Sequence, residues 1–174
     1  MAEQCRRFSG EGGGGSGPDL MTDWCSGHPL IDAEHQALLG VLRRLPDICQ
    51  SFLSRMDCSQ CSTEARRDCE SRLVDLLSEV IEFVIDHFFS EEAIMRRSLL
   101  PAIEPARCEA HFEDHAEIMG RLTDILGALT PETTSGRMRE LNASLLSWLN
   151  EHIRHHDQPL ADWLKRDEML LHEI

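Results

Sequence analysis

From about residue 30 onward, apolar residues recur every three or four positions, which is the period of an amphipathic α-helix. No stretch alternates between apolar and polar residues as a half-buried strand would. Pro46 predicts a kink or an early end in the first helix, since proline cannot donate the hydrogen bond that an interior turn needs. The predicted elements are helix A from about 32 to 56 with Asp32 as N-cap, helix B at 63–97, helix C at 107–129, helix D at 137–156, and a short helix opened by Pro159 that ends near 171.

The connections between these helices are short. "SLLPAIEPA" at 98–106 contains two prolines and separates helices B and C, and "TPETTSG" at 130–136 separates helices C and D. Helices that follow one another through short loops pack as antiparallel neighbours. The sequence therefore predicts an all-α protein, an antiparallel up-down four-helix bundle over residues 22–174 with a short C-terminal helix.

The N-terminal segment differs in composition from the rest of the chain. Six of the eleven glycines fall between residues 10 and 17. Glycine-rich segments behave as flexible coils, so residues 1–21 are predicted to form a disordered tail. Met21 directly follows this tail and is an alternative translation start.

Composition and charge limit the classes of function and partner that the chain can have. The chain is 41% hydrophobic and 28% charged, as globular proteins are, and its net charge is −14. This charge argues against partners such as nucleic acid and anionic membrane surfaces, which bind Lys and Arg. No apolar run approaches the roughly 18 residues of a membrane span, and no secretory signal is present. We therefore expect a cytoplasmic protein without membrane insertion, whose seven cysteines are mostly reduced.

Every helix carries a potential metal ligand on its apolar stripe. Within helices B and C the ligands are spaced i and i+4, which places them on one face. Burying five imidazoles and two carboxylates without a partner would cost several kcal/mol per ionised group, and a metal ion removes that cost by binding them directly. The predicted metal ligands are His35, His87, Glu91, His111, His115, His152 and Asp157.

The size of this set predicts two metal ions. A structural zinc site takes four ligands, usually including cysteine. Seven ligands serve two ions if both carboxylates bridge them, so that one ion receives three histidines and the other two. With an added bridging oxygen the first ion is six-coordinate, and the second keeps one open position. Imidazole combined with carboxylate suits iron.

Four motifs carry a resemblance to a known family. "IDAEH" at 31–35, "HFFSEE" at 87–92, "HFEDH" at 111–115 and "WLNEHIRHHD" at 148–157 resemble the hemerythrins, specifically the bacterial single-domain form. The resemblance spans about residues 24–165 and includes all seven ligand positions. It implies that three histidines hold the saturated iron, two hold the iron with the open site, and two carboxylates bridge. The three histidines of the saturated iron correspond to His111, His115 and His152. The two histidines of the iron with the open site correspond to His35 and His87, and the bridging carboxylates correspond to Glu91 and Asp157.

The same resemblance implies an activity. Proteins of this kind bind O2 reversibly as a hydroperoxide at the open iron of an oxo- or hydroxo-bridged pair, while both irons change from ferrous to ferric. NO is a further expected ligand, and the chain is expected to be a monomer or a weak homo-oligomer. Positions that line the O2 pocket correspond to Trp148, Leu149 and Ile153, and apolar positions around the cluster correspond to Phe88 and Met95.

Three roles remain open at this stage. The first is oxygen carriage, storage or delivery, which the ligand set favours because neutral imidazoles stabilise high-valent iron less well than a carboxylate-rich shell does. The chain is accordingly predicted not to be an enzyme. The second role is an O2, NO or redox sensor, which the glycine-rich tail and the pair Cys58 and Cys61 would favour. The third is a peroxidase, an NO reductase-like protein or an iron oxidase.

The remaining histidines are predicted not to be ligands. His28 precedes helix A, and His172 lies at the end of the chain. His155 and His156 lie near Asp157, where one of them is a candidate for tuning that carboxylate, although solvated side chains are the favoured interpretation.

Overall fold

The computed structural model describes residues 24–48, 61–130 and 133–172, which form helices and no strand. The predicted tail at 1–21, the end of helix A at 49–56, and Cys58 lie outside the described residues. The long helices assemble into the predicted all-α antiparallel bundle. The elements are α1 (Pro29–Leu42), α2 (Leu45–Ile48), α3 (Thr63–Arg97), α4 (Leu100–Ile103), α5 (Pro105–Gly127), α6 (Thr134–His152), a π-helical turn (Ile153–Asp157) and α7 (Gln158–His172).

Two apolar clusters divide the bundle along its length. The large cluster draws on α1, α2, α3, α5 and α6, and it includes Leu38, Val84, Ile118 and Leu149. The small cluster lies at the other end of the bundle. It consists of Ile31, Met95, Leu100, Cys108 and Leu160.

The order of these clusters along each helix shows the antiparallel arrangement. Helix α1 runs from Ile31 in the small cluster to Leu38 in the large one, whereas α3 runs from the large cluster to Met95 in the small one. Helix α5 returns from Cys108 to the large cluster, and the chain from α6 to α7 reverses again toward Leu160. Along the chain, five of the predicted ligands fall between the two clusters, and the other two, His87 and His152, lie at the edge of the large cluster. All seven therefore occupy one layer of the bundle.

Helix α3 has the predicted boundaries, 63–97. Ser62 is its N-cap, and the Ser62 hydroxyl accepts a hydrogen bond of 3.2 Å from the backbone N–H of Ala65. Helix α5 begins at Pro105, two residues before the predicted start, because proline is well suited to the first turn, where no N–H is needed.

The predicted start of helix A is wrong, whereas the kink or early end predicted at Pro46 is confirmed by a break after Leu42. Helix α1 starts at Pro29 with His28 as N-cap. The Asp32 carboxylate is buried inside the helix start, where it accepts hydrogen bonds from the Ser26 backbone N–H at 2.6 Å and the Ser26 hydroxyl at 2.8 Å. The helix ends at Leu42, because Pro46 lacks the N–H that would bond to the Leu42 carbonyl, and α2 forms a separate turn.

The predicted break before Pro159 is also absent. Residues 134–172 are helical without interruption, and the π-helical turn joins α6 to α7. Within this turn the backbone N–H of Gln158 donates to the carbonyl of Ile153, five residues earlier. The α-helical register thus changes directly before Pro159, the residue that has no N–H to donate.

Two further expectations concern cysteines and membranes. Cys25 is disulfide-bonded, an exception to the expectation that most of the cysteines are reduced. Cys108 is a buried thiol in the small cluster. Among the described helices none is long and apolar enough to cross a membrane.

Candidate metal centre

The seven predicted ligands come together in the layer between the two apolar clusters. All are at least 96% buried, and they come from α1, α3, α5, α6 and the π-helical turn. Their ligand atoms form two groups, each within 4.8 Å, that share Glu91. The three-histidine group is Glu91, His111, His115 and His152; the two-histidine group is His35, His87, Glu91 and Asp157.

The Glu91 carboxylate lies between the two groups. Its Oε2 atom is 3.2 Å from His111 Nε2, 3.1 Å from His115 Nε2 and 3.3 Å from His152 Nε2. Its Oε1 atom faces the other way and lies 3.5 Å from His87 Nε2. Each carboxylate oxygen is thus directed at a different set of imidazoles.

Asp157 divides its oxygens in the same manner. Its Oδ1 atom is 3.0 Å from His152 Nε2 and 3.6 Å from His111 Nε2. Its Oδ2 atom is 3.0 Å from His35 Nε2. Asp157 and Glu91 therefore both span the space between the three-histidine group and the two-histidine group, as carboxylates that bridge two ions do.

The π-helical turn explains how Asp157 reaches this layer. In an α-helix, residues five apart are separated by about 140° around the axis, so Asp157 would point away from His152. Hydrogen bonds from residue i to i+5 widen the turn and bring positions five apart onto one face. Local π-helical geometry is common at functional sites, and here it places His152 Nε2 beside Asp157 Oδ1.

Among the described residues, several buried polar atoms in this layer lie close to one another but form no well-oriented hydrogen bond, and such atoms test whether a metal would fit. They include both ring nitrogens of His35, Nε2 of His87, Oε1 of Glu91 and both carboxylate oxygens of Asp157. Each such atom costs about 1–3 kcal/mol when buried without a partner. Imidazole nitrogen and carboxylate oxygen are good donors for iron. The residues present therefore fit metal ions on both sides of the bridging carboxylates.

Two further carboxylates, which the sequence reasoning missed, orient the histidines. His87 Nδ1 donates to Glu34 Oε2 at 2.9 Å, and His152 Nδ1 donates to Asp114 Oδ2 at 2.6 Å. Each bond leaves the Nε2 lone pair directed into the centre. Both acids directly precede a predicted ligand in the sequence, in "AEH" and "EDH". This position next to a ligand was the sequence signal that could have identified Glu34 and Asp114, because it directs each carboxylate toward the neighbouring helix.

Aromatic rings cover the three-histidine group. Phe88 stacks on His115 with ring centroids 3.7 Å apart, and Trp148 stacks on His152 at 4.5 Å. Leu149, three residues before His152, and Ile153, directly after it, are fully buried in the large cluster. These positions agree with apolar surroundings for the centre, and their role in lining an O2 pocket stays a prediction.

The charges in this layer shift the pKa values of its members in opposite directions. Burial acts to raise the pKa of Glu91, but hydrogen bonds from His111, His115 and His152 outweigh it and hold the pKa well below its usual range. Burial acts to lower the pKa of His152, yet the charge of Asp157 and the bond to Asp114 keep that pKa well above 6.5. The pKa of His115 is lowered, chiefly by burial.

The histidines beside Asp157 differ from each other. His155 is exposed and lies 3.2 Å from Glu151 Oε2. The prediction of a solvated side chain is wrong for His156, which is half-buried with its ring centroid 4.9 Å from that of His111. Burial, with the charges of His111 and His152, lowers the pKa of His156 to about 4.

Comparison with known proteins agrees with this geometry. The family model described as the hemerythrin HHE cation binding domain matches residues 26–164. A bacteriohemerythrin of Stenotrophomonas maltophilia (strain R551-3) is 25% identical over 139 residues, which are 80% of this chain and 76% of that protein. No solved structure matches the chain. Because the family model covers most of the sequence and contains the whole His/Glu/Asp cluster, the chain belongs to the hemerythrin family.

Proposed function

We propose that this protein binds two iron ions in the centre between its apolar clusters and binds O2 reversibly at one of them. The observation that carries the proposal is the division of the carboxylate oxygens. Glu91 and Asp157 each direct one oxygen at the three-histidine group and the other at the two-histidine group. A single ion would not need both faces of both carboxylates.

The two sides of the centre differ in ligand number. His111, His115 and His152 would hold one iron, and His35 and His87 would hold the other. With one histidine fewer, the second iron has the free position where O2 would bind. When bound, the two ferrous irons supply the electrons that reversible O2 binding requires.

The protein residues around the centre favour carriage over catalysis. As metal ligands, five imidazoles would bind in their neutral form, and with only two carboxylates they would provide little negative charge to stabilise high-valent iron. Leu149 and Ile153 flank His152 in the chain and are fully buried, which would limit the water and protons that reach the centre. The protein therefore acts as an oxygen carrier, store or delivery protein and not as an enzyme. NO binding, a cytoplasmic location and a monomeric or weakly associated state stay predictions from the sequence.

The proposal is tested by loading the protein anaerobically with ferrous iron and counting the bound metal. Visible absorption is then followed while air is admitted and argon is restored. We expect two irons per chain and a charge-transfer band that appears in air and fades under argon. Irreversible oxidation of two irons would refute carriage in favour of a sensor or an enzyme. Fewer than two irons would refute the two-ion centre itself.

A further inference from the structure

The indole of Trp148 makes a contact that its predicted place in an O2 pocket does not explain. Trp148 Nε1 donates a hydrogen bond of 2.6 Å to Asp114 Oδ2. The same oxygen accepts the 2.6 Å hydrogen bond from His152 Nδ1. Trp148 and His152 lie one turn apart on α6 with their rings stacked at an interplanar angle of 28°, so both reach Asp114 on α5 from the same side.

The corresponding arrangement at the two-histidine group is different. There Glu34 uses separate oxygens: Oε2 accepts from His87 Nδ1 at 2.9 Å, and Oε1 accepts from the Ser90 hydroxyl at 2.7 Å. The two donors at Glu34 therefore do not share a lone-pair region. At Asp114 both donors bind the same atom, Oδ2, so they draw on the same negative charge, and we expect the bond to one donor to weaken the bond to the other.

We propose that Trp148 is a positioning residue that sets the reduction potential of the metal bound by His152, by competing with His152 for one oxygen of Asp114. The inference rests on the proposed function, since it requires a redox-active metal at the three-histidine group. It assigns Trp148 a polar role through its N–H, in addition to the packing of its ring against Phe88 and His152.

The direction of the effect follows from the charge on the imidazole. A carboxylate that accepts from the Nδ1–H of a ligand histidine makes that histidine a stronger electron donor to the metal. A stronger donor stabilises ferric iron more than ferrous iron, which lowers the reduction potential. The Trp148 N–H draws charge from the shared oxygen and so weakens this effect. Trp148 thus keeps the potential higher than Asp114 alone would set it.

Two substitutions are expected to move the potential in opposite directions. Asp114→Asn removes the negative charge and should raise the potential by about 59 mV, which corresponds to a tenfold change in the preference for ferric iron in a one-electron couple. Trp148→Phe keeps an aromatic ring and removes only the N–H donor, so it should lower the potential by less. Loosening of the centre would shift both variants alike, so the opposite signs distinguish positioning from a purely structural role.

Trp163→Phe is the matched control. The Trp163 Nε1 atom is buried and forms no hydrogen bond with the residues that the structure describes, and its ring packs against the small cluster. The same substitution there should leave the potential unchanged. An equal shift in Trp163→Phe, or an unchanged or raised potential in Trp148→Phe with two irons bound, would overturn the inference.

A second measurement does not depend on iron. In the metal-free protein, the proton on His152 Nδ1 is observed by NMR and should move downfield in Trp148→Phe, as its bond to Asp114 strengthens. It should lose its protection from exchange in Asp114→Asn. An unmoved resonance in Trp148→Phe would overturn the competition even if iron binding is normal. If the wild-type protein fails to bind two irons, the proposed function fails, and this resonance separates that result from failure of the hydrogen-bond competition.

Discussion

Glu34→Gln tests how the two-histidine group is held in place. The Glu34 side chain is 19% exposed and joins α1 to α3 through His87 Nδ1 and the Ser90 hydroxyl. Glutamine has the same shape and can still accept from His87 through its amide oxygen. The substitution therefore removes the negative charge and leaves the packing of the bundle in place.

The expected magnitude follows from the role of that charge. A carboxylate behind a ligand histidine fixes its tautomer and raises its basicity, and its loss typically costs 10- to 100-fold in metal affinity. This corresponds to about 1.4–2.7 kcal/mol. Because Glu34 contacts His87 and not the three-histidine group, the loss should fall on one of the two irons only.

The assay is a competition between the protein and a chelator for ferrous iron under anaerobic conditions, with the bound metal counted at each step. The wild-type chain should retain two irons at chelator concentrations where Glu34→Gln retains about one. Glu79→Gln is the control, because that carboxylate forms an exposed ion pair with Arg44 in contact with no member of the centre. Wild-type affinity for both irons in Glu34→Gln would refute the proposed support of His87.

Four other outcomes are expected. Metal loading should release protons, because the pKa of His152 is raised well above 6.5 and only its neutral form binds metal. Calorimetry in buffers of different ionisation enthalpy should show this release. The affinity of the protein for the metal should fall as the pH falls. In the metal-free protein, protonated His152 stabilises the fold, and this contribution is fully present below pH 6.5 and is lost as the pH rises through the raised pKa of the folded state. In denaturant unfolding, the contribution of His152 to the free energy of unfolding should therefore increase as the pH is lowered from alkaline values toward 6.5. Leu145→Ala should lower the free energy of unfolding by about 2–5 kcal/mol, because Leu145 is fully buried in the large cluster, and an unchanged denaturation midpoint would contradict the packing described. Asp32→Ala should cost about 1–3 kcal/mol by leaving the buried Ser26 hydroxyl and N–H without an acceptor, whereas a neutral result in the same unfolding assay would count against that role.

The helices themselves could largely be read from the sequence. The limits of α3 follow from an uninterrupted apolar period that begins after a good N-cap, Ser62, and ends before "SLLPAIEPA". The start of α1 was misplaced because Asp32 is a good N-cap residue in isolation. Only the packed chain shows that its carboxylate bonds to Ser26 instead. Local preference is a weak guide where a buried partner competes for the same side chain.

The sequence by itself determined which side chains share the polar layer. The spacing of His87 with Glu91 and of His111 with His115 places each pair on one helical face, and the apolar residues on either side bury them. The tertiary structure decided the rest. Two residues five positions apart point to different sides of an α-helix, as His152 and Asp157 would. Only the π-helical turn directs Asp157 toward His35. Likewise, the hydrogen bonds that His152 donates to Asp114 and His87 donates to Glu34 cross between helices. Such contacts depend on the distance and rotation of neighbouring helices, which no local pattern encodes.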